Sequence, residues 1–346
     1  MNPSSVPEVA MPSPPPGDGV PDMPQLTLPF PSRINPHTEH LTHHLEEWAH
    51  RWCGAGSSGP ASWRAARFEQ LVGRMFPTPA PALFELMGEA VVWLFLYDDA
   101  LDPGGPGDDP DYAGHLTAQL RPVLDGHCAV APADPLLGSV WWLRHRLLPL
   151  VGAAGWRLLA EELHGFSDAM RREVLARTAG RTPTPAEYLA ARHATSGWHI
   201  LTTLVELGAG PVLPDTVRGG EAYRSVRAAA GDVACTVNDL LSLDKERAAG
   251  EAHNLVFALL HHEQCDLPAA VGLAHGWLDA RLDDYLAART RLLAAGPGPA
   301  RPEVSTLALQ VSGFEALMRG SLDWSLATGR YGHAGSELTD VPKEQA

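Results

Sequence analysis

Eleven stretches of this chain carry apolar residues at three- and four-residue spacing, and clusters of glycine and proline separate many of them. The stretches run over 42–53, 63–75, 81–97, 112–124, 136–150, 156–178, 186–207, 217–249, 253–262, 269–294 and 304–331. That spacing lines up side chains on one face of an α-helix, which then needs a neighbour to bury against. The separators at 77–81, 103–110, 182–185, 208–214 and 296–302 are rich in the two residues that end helices. No stretch alternates with period two or gathers β-branched residues as strands do. The expected fold is therefore all-α, a single-domain helical bundle. No repeat of fixed period points to a solenoid.

Composition narrows the function. With 45% hydrophobic residues and 10 tryptophans the chain can build a large core. Its 26 basic and 41 acidic residues leave a net charge of −15, which opposes nucleic-acid binding. The longest strongly apolar run, 90–97, is far too short to span a bilayer. The first basic residue, Arg33, follows a proline-rich start that does not resemble a secretory signal. Cys53, Cys128, Cys235 and Cys265 lie far apart with no C-x-x-C spacing, which suggests neither a zinc site nor a disulfide framework. A cytoplasmic protein is expected. Eight prolines within residues 1–24 mark 1–28 as a disordered extension, 29–332 as the folded domain and 333–346 as a flexible tail.

The sharpest chemical signal is Phe95-Leu96-Tyr97-Asp98-Asp99-Ala100-Leu101-Asp102, which ends an apolar helix just before Pro103-Gly104-Gly105. Asp98 and Asp102 stand four residues apart and share a face, so their oxygens can converge on a hard cation. Without a counter-ion such a cluster beside a buried stripe is costly. An acidic helix end running into a loop would carry the same letters. Two other acidic pairs, Asp108-Asp109 and Asp283-Asp284, lack the apolar lead-in.

The second signal is Asn238-Asp239-Leu240-Leu241-Ser242-Leu243-Asp244-Lys245-Glu246. Each four-residue step turns only about 40° further round the helix, so Asn238, Ser242 and Glu246 line one narrow face. They offer three oxygen ligands, the kind magnesium prefers. Taken alone, Asn and Ser on a helix can equally face solvent.

Together the two motifs resemble those of the bacterial class I terpene synthases, an aspartate-rich motif followed by an N-D-x-x-S-x-x-K-E triad. The resemblance runs from Pro29-Phe30-Pro31-Ser32-Arg33-Ile34-Asn35-Pro36-His37 to the closing Gly329-Arg330-Tyr331, about residues 28–332. The family's diphosphate-sensing arginine lies 46 positions before the triad asparagine, and 238 − 46 = 192 falls on Arg192.

The resemblance implies site residues. Asp98 would bridge Mg2+ ions and Asp102 would assist. Asn238, Ser242 and Glu246 would hold a further ion, making three per site. Arg192, Lys245, Arg330 and Tyr331 would grip the substrate diphosphate, and Asp99 would pair with the closing arginine rather than with metal. Thr195 and Ser196 fall on the linker and effector positions, followed by a helix break at Gly197. Phe95, Trp198 and Trp324 would turn aromatic faces to a cationic intermediate, which they attract without capturing. Trp141, Trp142 and Trp156 are read as core or surface residues, and no histidine is assigned a metal.

The implied activity is a Mg2+-dependent class I terpene cyclase acting on farnesyl diphosphate, with geranyl, methylated geranyl and geranylgeranyl diphosphate as alternatives. A chain-elongating prenyltransferase would carry a second aspartate-rich cluster where this chain has Asn238, Ser242 and Glu246. A catalytically silent isoprenoid-binding protein would be expected to have lost metal ligands, and none is lost here. A homodimer is implied by the same resemblance.

Overall fold

The computed structural model describes residues 25–52, 65–250, 253–295 and 302–331, and every regular element among them is helical. Twelve α-helices follow in order: α1 Thr38–Trp52, α2 Phe68–Met75, α3 Pro81–Leu101, α4 Pro110–Leu124, α5 Pro135–Thr178, α6 Pro185–Thr195, α7 Trp198–Gly208, α8 Asp215–Arg218, α9 Glu221–Ala249, α10 Leu255–His262, α11 Leu267–Ala295 and α12 Pro302–Ala327. Short 3-10 turns occur at Pro106–Asp108 and Gly329–Tyr331. The expected all-α bundle is what the chain forms. Residues 1–24, the tail 333–346 and Cys53 lie outside the described residues.

Helix α3 is apolar nearly all round, as befits an element with neighbours on every side. It packs on α5, α1, α2 and α7. Trp93 and Tyr97 are fully buried and meet Phe166 of α5 at ring-centroid distances of 6.2 and 5.4 Å. Burying each such ring contributes about 1.5–3 kcal/mol, which is how a helix ending in three carboxylates is held among apolar neighbours. Helix α9, which carries the second motif, packs against α11, α12, α6 and α10.

Local signals set the ends that matter. Pro185 opens α6, and Thr184 and Glu187 form a reciprocal capping box ahead of Arg192. The helix stops at Thr195, and Gly197 adopts φ +69°, a left-handed conformation that favours glycine. A Cβ there would also lie 2.9 Å from Leu94 Cδ1. The apolar stretches 136–150 and 156–178 join into one long helix, α5, interrupted at Gly152 with φ +71° and ψ 172°.

The packed chain begins before residue 29. Leu26 and Leu28 are buried at 7% and 5% exposure, and Phe30 meets the Tyr285 ring edge-on at 5.6 Å. Arg319 donates to the Leu28 and Phe30 carbonyls, and Ser32 donates to Asp323. This strap therefore braces α12, and residues before 29 that the proline pattern assigns to the extension are packed on the fold.

Candidate active site

A cleft opens between α2, α3, α5, α6, α7, α9 and α12. One end is polar and the rest apolar. Phe95, Asp98, Asp102, Arg192, Thr195, Ser196, Trp198, Asn238, Lys245, Glu246, Trp324, Arg330 and Tyr331 all line it. Thirteen of the fifteen residues singled out in the sequence thus meet at one cavity, although they come from separate segments of the chain. The other two, Asp99 and Ser242, hold lining residues: Asp99 accepts from Arg330 Nη2 at 2.6 Å, and Ser242 donates to Glu246 Oε1 at 2.6 Å.

At the end of α3, carboxylate oxygens of Asp98, Asp99 and Asp102 all lie within 4.8 Å of one another. Burial raises the Asp98 carboxyl well above the usual range, and the neighbouring Asp102, Asp99 and Glu173 charges push it further. Lys245 Nζ approaches Asp102 at 3.9 Å and supplies only part of the compensation. A cluster of hard oxygen donors held together against burial and mutual repulsion suits a divalent cation, so the residues present fit the metal their pattern implies.

Across the cavity, α9 presents the second set. Arg192 Nη2 donates to Asn238 Oδ1 at 2.7 Å, and Asn238 Nδ2 donates to the Tyr331 hydroxyl at 3.0 Å. Burial pushes Glu246 up to about 7, with Asp239 adding to the shift. Asn254 donates to the other Glu246 oxygen at 2.7 Å. On this face the Ser242 hydroxyl donates to Glu246 and to the Asn238 main-chain carbonyl, while the Asn238 side-chain oxygen is taken by Arg192.

Three positive side chains face these carboxylates. Burial opposes the charge of Arg192, but Asp239 beside it holds the guanidinium well above its ordinary pKa. Arg330 behaves in the same way, its burial outweighed by Asp99. Both remain charged at the polar end, as phosphate recognition requires. Arg330 also stacks 5.0 Å over the Phe95 ring.

The apolar wall is organised by one backbone break. Arg67 takes φ +50° just before α2, and the Ala66 carbonyl accepts from Trp324 Nε1 at 2.6 Å and Thr328 Oγ1 at 3.0 Å. Trp324 is thereby fixed against Phe95 at 5.8 Å, Phe68 at 6.2 Å and Tyr331 at 5.5 Å. Trp198 is pinned by its own donation to the Arg227 carbonyl at 2.9 Å.

Several contributors went unassigned in the sequence. Asp239, 1% exposed, accepts from Tyr188 at 2.7 Å and from Arg192 Nε at 3.1 Å, so it seats the arginine. Its place beside Asn238 was the available signal. Arg177 of α5 donates through Nη2 to the Leu101 and Gly107 carbonyls at 2.5 and 3.0 Å, steadying the turn that carries the aspartates. Glu173, one turn earlier, lines the cleft near Asp98. Nothing in the local sequence marks these two.

No helix among the described residues is long and apolar enough to cross a membrane. The family model described as "Terpene synthase family 2, C-terminal metal binding" matches residues 89–284. Pristinol synthase of Streptomyces pristinaespiralis is 31% identical over 90% of this chain and 85% of its own length. A (+)-T-muurolol synthase of Roseiflexus castenholzii, described as cyclising (2E,6E)-farnesyl diphosphate, is 28% identical over 93% of this chain and 98% of its own. The crystal structure of germacradien-4-ol synthase from Streptomyces citricolor shares the fold, with a TM-score of 0.77 at 21% identity over 87% of this chain and 97% of that one. Both acidic motifs and Arg192 fall within the span matched by a metal-binding family, and the chain belongs to the bacterial class I terpene synthases, as a terpene cyclase that binds a divalent metal and an isoprenoid diphosphate.

Proposed function

We propose that the enzyme uses Mg2+, three ions per site, to ionise farnesyl diphosphate and cyclise the cation to a sesquiterpene skeleton with release of diphosphate. The observation that carries this reading is the polarity of the cavity. Two sets of oxygen donors and three cationic side chains line one cavity together with an apolar wall that includes Phe95, Trp198 and Trp324. When bound, the divalent ions would neutralise the diphosphate and favour its departure. Asp98, with Asp102 assisting, and Asn238, Ser242 and Glu246 are the residues proposed to hold them.

The protein's own groups divide the remaining work. Arg192, Lys245, Arg330 and Tyr331 would bind and orient the diphosphate, with Asp239 and Asp99 fixing the two guanidiniums. Ser196 follows the end of α6 at Thr195 and precedes the left-handed Gly197, and its main-chain carbonyl is the one proposed to stabilise positive charge. The aromatic faces would attract the cation and keep water from its reactive carbons. Farnesyl diphosphate is preferred over the geranyl, methylated geranyl and geranylgeranyl alternatives because a relative over nearly the full length is described as cyclising it.

A chain-elongating prenyltransferase is disfavoured by the identity of Asn238, Ser242 and Glu246, which stand where a second aspartate cluster would be needed. The test is incubation of purified protein with geranyl, farnesyl and geranylgeranyl diphosphate, with magnesium or with chelator, followed by gas chromatography and mass spectrometry. Cyclic fifteen-carbon product from farnesyl diphosphate, only with magnesium, is expected. Product from another chain length would replace the substrate assignment. A homodimer, tested by sedimentation, belongs to the same proposal.

A further inference from the structure

Leu317, Ser321 and Trp324 follow at four- and three-residue spacing on one face of α12, and all three line the cleft. Ser321 is thus a hydroxyl set between two large apolar side chains. It lies six residues before the end of α12 at Ala327, about 9 Å along the axis, and Arg330 follows beyond that end. The charged mouth is therefore one side of Trp324 and Ser321 the other.

The other hydroxyls of the cavity wall are engaged. Thr195 donates to the Arg192 carbonyl, Ser196 pairs with the Cys235 thiol at 3.2 Å, and the Tyr331 hydroxyl accepts from Asn238. Several serines and threonines elsewhere in the helices fold back on the carbonyl three or four residues earlier. Thr202 does so on Trp198, Thr236 on Asp232, Ser242 on Asn238 and Thr290 on Leu286. Ser321 makes no hydrogen bond to any described residue.

A second orphan stands beside it. Ser325, one turn on, is fully buried, and its hydroxyl also lacks a partner among the described residues. The Cβ atoms of residues four apart on a helix lie about 5–6 Å from one another, close enough for one water to reach both hydroxyls. A buried polar group such as Ser325 is rarely left unsatisfied, and the half-buried Ser321 at the cleft wall offers the second partner that a water there needs.

We propose that Ser321, with Ser325 behind it, positions a water at the apolar end of the cavity, and that this water captures the cyclised cation, so the enzyme releases a cyclic alcohol. The inference rests on the cyclase reading above. A lone pair of the water oxygen forms the C–O bond to a cationic ring carbon. The oxonium then loses a proton to the released diphosphate, so isoprenoid diphosphate and water give alcohol and hydrogen diphosphate, with no oxidant or reductant. Ser321 is a positioning residue in this step, acting through the water.

The experiment is turnover of the full chain with magnesium in water enriched in heavy oxygen, again with all three diphosphates, and mass spectrometry of the extract. The expected result is an alcohol that carries the heavy oxygen. Ser321→Ala should lower the ratio of alcohol to hydrocarbon by about fivefold or more, as loss of one water anchor at the decisive branch implies. Ser321→Thr, which keeps a hydroxyl, should restore the ratio, and Ser325→Ala should move it in the same direction as Ser321→Ala. A native enzyme that makes only hydrocarbon, or an alcohol fraction untouched by Ser321→Ala, would overturn the inference and leave the cyclase reading standing. No product from any diphosphate would overturn both.

Discussion

Replacing Asp98 with asparagine should make the metal-free protein more stable while abolishing turnover. Carboxylate oxygens of Asp98, Asp99 and Asp102 lie within 4.8 Å of one another, and at an effective dielectric of 20 each like-charge pair at that distance repels by about 3 kcal/mol. Protonation limits the cost. An aspartate with an ordinary value of 3.8 that stays protonated in the fold costs about 1.4 kcal/mol for each pH step above that value, hence at most about 4 kcal/mol near neutrality. For 346 residues the unfolding entropy makes this at most about 6 °C in melting temperature. The sign follows from the raised pKa: the penalty is absent below the ordinary value and grows as pH rises toward the folded one. The Asp98→Asn substitution removes it, so the advantage of the variant should shrink as pH is lowered from neutrality to near 5. Differential scanning calorimetry in chelator at the two pH values, beside a product assay with magnesium, measures both effects. A variant that melts below the native protein at neutral pH, or that retains full turnover, would refute the reading of Asp98 as a metal ligand held at a cost to the fold.

Asp239→Asn should lower kcat/KM by about a hundredfold or more with native helical circular dichroism, since breaking a buried pair costs about 3–5 kcal/mol and here unseats Arg192; unchanged kinetics would separate Arg192 from diphosphate binding. Arg177→Met should raise the magnesium concentration for half-maximal rate about three- to tenfold, because a charge-assisted clamp on the aspartate-bearing turn is lost, and a magnesium titration reads it. Trp324→Phe keeps a ring but loses the bond to Ala66, at about 0.5–1.5 kcal/mol, whereas Trp324→Ala should cost about 3–5 kcal/mol; thermal melts of the two variants distinguish wall geometry from simple filling.

What could be read from the chain alone was whatever a helix repeats. Asn238, Ser242 and Glu246 meet because four-residue steps keep one azimuth, and no tertiary information is needed to see it. The Asp98 cluster was legible for the same reason, aided by the proline and glycines that follow it. Arg192 came from the family's spacing, and its contact with Asn238 shows α6 and α9 side by side. The groups that seat these side chains are different in kind. Asp239 accepts from Tyr188 and Arg192 of α6 through its carboxylate and from Asn254 through its carbonyl, and Arg177 reaches 76 residues back to Leu101. Leu28 sits in text that resembles an extension because its partner Arg319 lies 291 residues away. Such contacts obey no local period, so only the assembled fold displays them.

The same distinction separates ionisation from product choice. Departure of a diphosphate needs charges in number and rough position, and a motif of fixed spacing on a helix supplies that. The fate of a cation that has lost its leaving group depends on single groups facing it at the far end of the cavity. The apolar wall there includes Leu317, Trp324, Trp198 and Leu71 with Ser321 among them, and an unpartnered hydroxyl among apolar side chains is a large local perturbation. Swapping one such residue alters which carbon meets a nucleophile while leaving the charged mouth intact. Substitutions along α12 should therefore redistribute products, and those along α3 and α9 should change rate. A survey in which α12 variants lowered turnover uniformly without changing the product pattern would contradict that division.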